Sequence, residues 1–196
     1  MSDVSRTEIV LAVVERNGRI CLARRSEQVA TGRGLWSVVT GYLEAGISSL
    51  EQASQELLEE FGLASPDVRL VRALPPVPLS SPVSGKHFLV HPFLFESSVD
   101  CEVVLNWEHT DFAWVEPARL GDGDCVSWQH DIVLALLSQH PVENRHLVFT
   151  VRNARQSPSP WRVSMSGEPG HATGPVESTL ETPKGRTRSP PRTRQG

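Results

Sequence analysis

Three glutamates in one short stretch, Glu56, Glu59 and Glu60, are spaced at i, i+3 and i+4. On an α-helix that spacing projects all three carboxylates from one side. Like charges so placed cost a helix about 0.2–0.5 kcal/mol per pair, and no Lys or Arg occurs between residues 34 and 68 to offset them. Carboxylate oxygens are hard donors, so a divalent cation such as Mg²⁺ or Mn²⁺ is their natural complement. A solvated acidic helix face is the plain alternative for the three residues taken alone.

The elements that must position them are legible. Residues 48–61 form an amphipathic helix, with Leu50, Ala53, Leu57 and Phe61 on its apolar side. Ser48 or Ser49 caps its start, and Gly62 stands where a left-handed C-terminal residue belongs. Before it, residues 8–15 and 19–24 read as two strands joined by the hairpin signal Asn17-Gly18. Residues 35–39 read as one short buried strand and 68–74 as another. Four prolines make 75–85 a loop, and Pro92 makes the strand 87–95 an edge or bulged strand. Further strands are expected at 102–105 and 112–115. A second helix is expected at 128–139, with Ile132, Ala135, Leu136 and Gln139 on one side. Strands with few, separated helices give an α+β or α/β sandwich, and there is no internal repeat.

Composition divides the 196 residues in two. Between 153 and 196, Pro, Ser, Gly and Thr supply 23 of 44 residues, and no period of 2 or 3.6 can be drawn. Such a segment cannot bury enough apolar surface to offset its ordering entropy, so residues 153–196 are expected to be a disordered tail. The tail carries +4 and residues 1–152, the expected folded domain, carry −8. The basic tail could touch an acidic surface, but no clear nucleic-acid-binding pattern is present. No apolar run reaches membrane-helix length, and residues 1–6 lack the order of a secretory signal. Cys21, Cys101 and Cys125 are odd in number and scattered. A disulfide framework is thus not expected, and a reducing, cytoplasmic setting is.

Residues 41–63, GYLEAGISSLEQASQELLEEFGL, resemble the box of the Nudix hydrolases, G-x5-E-x7-R-E-U-x-E-E-x-G-U with U aliphatic. Gly41, Glu56, Leu57, Glu59, Glu60, Gly62 and Leu63 match, and Gly46 fits the turn glycine common in this loop. The approach fits as well, through Leu22-Ala23-Arg24-Arg25 and Gly34-Leu35-Trp36-Ser37-Val38. The likeness covers roughly residues 7–140. Two positions depart: Ile47 stands in place of the loop glutamate and Gln55 in place of the arginine. In the family those side chains interact, and the arginine helps orient a catalytic glutamate. Their joint loss leaves the charge of the box unchanged, as expected if the pair were replaced as a unit.

The resemblance implies an α/β/α sandwich with a mixed β-sheet. It also implies Mg²⁺- or Mn²⁺-dependent hydrolysis of a nucleoside diphosphate linked to another group X. By the same likeness Glu56, Glu59 and Glu60 are catalytic metal ligands, joined by Glu108 from the loop before residues 112–115. Arg24 or Arg25 is a candidate phosphate contact, and Trp36 and Tyr42 are candidates to stack on a base. Gly41, Gly46 and Gly62 shape the box. The histidines are too dispersed for a zinc site, and the sequence S-Q-P-W-P-F-P that marks NADH-cleaving relatives is missing. The partner implied is a small nucleotide-type molecule; a homodimer is left open. The departures at 47 and 55 support the alternative, a catalytically weakened nucleotide-binding or interaction module.

Overall fold

The computed structural model describes residues 6–80, 85–98, 100–121 and 124–138, and the backbone of 147–148. In chain order the strands are β1 (Thr7–Arg16), β2 (Arg19–Arg25), β3 (Trp36–Ser37), β4 (Val39–Tyr42), β5 (Val68–Ala73), β6 (Val77–Ser80), β7 (His87–Ser97), β8 (His109–Val115) and β9 (Leu147–Val148). Helix α1 (Ser49–Phe61) follows β4, and α2 (Gln129–Leu137) follows β8 and a short 3-10 turn at Pro117–Arg119. The expected tail at 153–196 lies outside the described residues.

Strand β1 is the axis of the sheet. Val10, Ala12 and Val14 enter one core and Ile9, Leu11 and Val13 the other, the period-2 alternation of a strand covered on both faces. That double burial is why its sequence reads as an unbroken apolar run. Ala53, Leu57 and Phe61 of α1 fill the first core, and Ile132, Val133 and Leu136 of α2 fill the second. One helix therefore covers each face, which is the expected α/β/α sandwich. The sheet is mixed: β7 runs parallel to β1 and β9 parallel to β6, and the other pairings are antiparallel. Among the described residues, no helix is long and apolar enough to cross a membrane.

Several sequence expectations are corrected. The single strand at 35–39 is two, because the chain changes partners: β3 pairs with β2 and β4 with β1. At the crossing, the Val38 N–H donates to Oε1 of buried Gln129 at 3.0 Å. The proline-rich stretch 75–85 contains β6, and β7 is interior, flanked by β1 on one edge and by β5 and β6 on the other. Pro92 is tolerated because it sits where β5 hands over to β6, between partners Phe93 and Val90. Its carbonyl accepts from Leu74 N–H at 3.1 Å, so its missing donor faces that gap and interrupts no ladder. Residues 102–105 are extended but not a strand. Val104 N–H goes to the Phe61 carbonyl at 2.8 Å, and Asn106 N–H to that of Glu60 at 3.2 Å. The segment thus spends its donors on carbonyls that the end of α1 leaves open. Helix α2 starts at Gln129 rather than 128, buries Val133 in place of Ala135, and its expected Gln139 lies outside the described residues.

Candidate functional site

Helix α1 is fixed at both ends. Ser48 is the cap: its Oγ accepts from Glu51 N–H at 3.2 Å, while Glu51 Oε2 accepts from Ser48 N–H at 2.9 Å. Gly62 closes the helix at φ 68, where its N–H donates to Leu58 and that of Leu63 to Leu57, both at 3.1 Å. A Cβ at Gly62 would also stand 3.1 Å from Val104 Cβ. The buried side of the helix differs from the expected stripe. Leu50 is exposed, whereas Gln52 and Glu60 are buried at 2% and 3% exposure.

Two of the three glutamates point inward. Glu56 lies across the main chain of Gly41: a Cβ there would be 1.8 Å from Glu56 Oε1 and 2.6 Å from its Cγ. Only glycine leaves room for the carboxylate in this place. Gln52 Nε2 donates to the same Oε1 at 2.9 Å. Glu59 is exposed and accepts from Gln55 Nε2 at 2.9 Å. Glu60 is buried, with its Oε2 lacking any hydrogen-bond partner, and lies 3.5 Å from Nε2 of His109. The ring of His109 meets Phe61 edge-on, and neither of its nitrogens has a hydrogen bond.

A bulge brings β8 into this place. Arg24 opposes Asp111, but Arg25 opposes His109, so Thr110 is the extra residue. Bulges bend a strand and re-aim its side chains, and here Thr110 is exposed while His109 turns inside. Ser26 N–H donates to the Glu108 carbonyl at 2.7 Å, anchoring the loop that carries Glu108. The parity of β2 separates the two arginines. Cys21 and Ala23 face the core under α1 and Ile20 and Leu22 the core under α2, so Arg25 falls on the α1 face and Arg24 on the other. Arg25 is the cation whose field reaches Glu60 and His109. Arg24 Nε instead donates to Gly34 O at 3.3 Å.

Charge and burial act together. Burial first, then Glu108 and Glu56, push the Glu60 carboxyl up to about 9. Glu56 is also raised, by burial and then, against the Gln52 hydrogen bond, by Glu59, Glu108 and Glu44. His109 is pushed down to about 4 by burial and by Arg25. Near neutral pH, without a counter-ion, Glu60 is a neutral acid beside a neutral imidazole.

Among the described residues, no three His, Cys, Asp or Glu side chains already converge as a metal cage. Mg²⁺ does not require one, since it keeps several waters and is held by one or two carboxylates plus substrate phosphates. The orphaned oxygen of Glu60, the oxygen donors of Glu56 and Glu108 in mutual repulsion, and the Gly41 cradle all fit a hard divalent cation.

Trp36 is 1% exposed and belongs to the core, so it is not a base-stacking residue. Tyr42 is 66% exposed at the end of β4. Gly46 has φ 92, a backbone that favours glycine, with nothing near its missing side chain. Sequence reasoning missed Gln52 and His109. The i, i+4 spacing from Gln52 to Glu56 was there to be read; nothing local marked His109, because the bulge turns it inward.

Comparison with known proteins agrees with this architecture. An octanoyltransferase from Myxococcus xanthus is 38% identical over 119 residues, covering 55% of this chain and 30% of that protein, so the chain spans less than a third of its length. The MutT protein from Methanosarcina mazei Go1 shares the fold with a TM-score of 0.56 at 23% identity, over 69% of this chain and 96% of that one. The E. coli dihydroneopterin triphosphate pyrophosphohydrolase shares it at 0.55 and 16% identity, over 65% and 92%. The model of the NUDIX domain matches residues 5–137, the span from β1 to the end of α2, and the chain therefore belongs to the Nudix family.

Proposed function

We propose that this chain is a divalent-metal-dependent pyrophosphohydrolase that cleaves the diphosphate of a nucleoside diphosphate linked to another group X. The observation that carries the reading is Glu60. Its carboxyl is buried amid other carboxylates, with Oε2 lacking a hydrogen bond and facing His109 Nε2 at 3.5 Å, and a protein interior tolerates that arrangement poorly without a cation.

Glu56, Glu60 and Glu108 would hold Mg²⁺ or Mn²⁺, with Glu59 at the exposed edge. When bound, the ion neutralises the diphosphate and lowers the pKa of the attacking water. Glu60 would release its proton to solvent on becoming a ligand. Glu108, half-buried in its anchored loop, is the carboxylate suited to accept the proton of the water. Arg25, on the α1 face, can meet a phosphate with the guanidinium N–H groups left free by its bond to Thr31 O. Tyr42 offers an exposed ring to a base. Residues 1–152 form the domain and 153–196 a basic tail, in a cytoplasmic protein.

The departures Ile47 and Gln55 favour one second reading, a nucleotide-binding module without turnover. The test is a screen of purified protein against dinucleoside polyphosphates, nucleotide sugars, ADP-ribose, NADH and nucleoside triphosphates with Mg²⁺ or Mn²⁺. Cleavage that disappears in E56Q and E60Q is the expected result. Saturable nucleotide binding with no phosphate-bearing product would establish the binding module instead.

A further inference from the structure

Gln52 occupies an unspecified position of the box, between the two departed ones, and is 2% exposed. A buried amide is costly unless its donor and acceptor both find partners. Both do: Oε1 accepts from Glu44 N–H at 3.0 Å, and Nε2 donates to Glu56 Oε1 at 2.9 Å. The orientation is determined, because a backbone N–H can only donate, so the amide oxygen faces Glu44 and the NH₂ faces Glu56. A glutamine supplies an acceptor and a donor on one planar group, which neither leucine nor glutamate does.

We propose that Gln52 is the positioning residue for Glu56 and does the orienting work of the missing glutamate–arginine pair. One side chain joins the loop after β4 to the carboxylate over Gly41. Among the described residues, Gln52 is the donor that reaches that carboxylate. The oxygen it holds is the one that closes on Gly41, so Glu56 is fixed from two directions. Gln55, at the position of the family's arginine, serves Glu59 instead. This inference rests on the proposed metal-dependent reading, in which Glu56 is a ligand.

The experiment measures Mn²⁺ affinity by calorimetry, kcat/KM on the substrate found by screening, and Tm. The proteins are wild type, Q52M, Q52E, E56Q, I47E/Q55R and Q52M with I47E/Q55R. Loss of a residue that orients a metal ligand typically costs about 10–100-fold in affinity or activity, and Q52M is expected to lose that much of both. Ionised, the Q52E carboxylate keeps an acceptor for Glu44 N–H but has no donor for Glu56, and at a pH where it is ionised Q52E is expected to fare no better than Q52M. Adding I47E/Q55R to Q52M is expected to recover at least about tenfold. Wild-type Mn²⁺ affinity in Q52E, at a pH where its carboxyl is ionised, would overturn the proposal, since Gln52 would then serve the loop alone. So would Q52M within twofold of wild type while E56Q loses the ion, or no recovery on restoring the pair. Wild-type Mn²⁺ affinity in E56Q would instead bring down the underlying reading, and this proposal with it.

Discussion

Glu60 Oε2 and His109 Nε2 face one another at 3.5 Å in the interior, their side chains 4% and 1% exposed. Neither atom has a hydrogen bond, so this contact is a place where bound protons and folding are coupled.

Stability without metal should therefore fall as pH rises. The Glu60 carboxyl titrates at about 9 in the folded state against an ordinary 4.5. Between those values the folded state holds a proton that the unfolded state has lost, so each step up in pH favours unfolding. His109, lowered from 6.5 to about 4, acts in the opposite sense below 6.5. The clean window is thus pH 6.5–9, where a slope on the order of 1 kcal/mol per pH unit corresponds to about 2–4 °C in Tm. Thermal melts in chelator should show this decline, and E60Q should flatten it. An equal slope in E60Q would assign the effect elsewhere.

Gly41→Ala should damage the site more than the fold. The added Cβ would lie 1.8 Å from Glu56 Oε1, so the carboxylate must leave its place while the strand can remain. Mn²⁺ affinity is expected to drop about 10–100-fold, with Tm little changed. Calorimetry and a melt on one preparation decide it, and unchanged affinity would rule out the cradle.

Glu59 and Glu60 differ in burial, and their Gln variants should differ accordingly. E60Q replaces the buried carboxyl whose Oε2 lacks a hydrogen bond and should abolish measurable Mn²⁺ binding. E59Q alters an exposed group and should weaken binding only a few-fold, about the scale of a surface charge contact. Equal losses in titrations of both variants would contradict this ranking.

Gln129→Met tests the strand crossing. The substitution keeps volume but strands the Val38 N–H, whose acceptor is Gln129 Oε1. An unsatisfied buried donor costs about 1–3 kcal/mol, read from urea unfolding. A change under about 0.5 kcal/mol would mean that the N–H finds another acceptor.

Truncation after residue 152 should leave Tm within a few degrees. The composition of 153–196 supports no core, and the last strand among the described residues, β9, ends at Val148. A large loss of stability would place the domain boundary further along.

Much of this was legible in the sequence because local pattern and tertiary role agree. The helix α1, its Ser48 cap and Gly62 stop, the Asn17-Gly18 turn and the apolar run of β1 each follow from nearby residues. What escaped depended on partners distant in the chain. The split at Val38 is set by β1 and β2 competing for one segment. The strand β6 forms despite Pro78 within it and Pro75-Pro76 just before it, because β7 offers it an edge. Pro92 read as an edge signal, although its position between two successive neighbours makes it harmless inside a sheet. At the site, the glutamates and glycines were visible as a spacing, whereas His109 needed the bulge opposite Arg25. Gln52 stood at i, i+4 from Glu56, but nothing near it in the chain marked a polar residue of this helix as buried.

The hydrogen bond from Asn106 N–H to the Glu60 carbonyl, described above as closing the end of α1, has a consequence for spacing. Glu60 and Glu108 hang from main-chain segments joined by that bond at 3.2 Å and by the one from Val104 N–H to the Phe61 carbonyl at 2.8 Å. They behave as the jaws of a caliper whose gap is set by peptide geometry. The exposed side chains of Glu102 and Trp107 can change without altering the gap, whereas Val103 is buried in the core and Asn106 Oδ1 accepts from Glu108 N–H at 2.9 Å. A single inserted or deleted residue cannot be absorbed, because it shifts one jaw against the other. In this segment the count of residues is constrained throughout, and their identity at Val103 and Asn106.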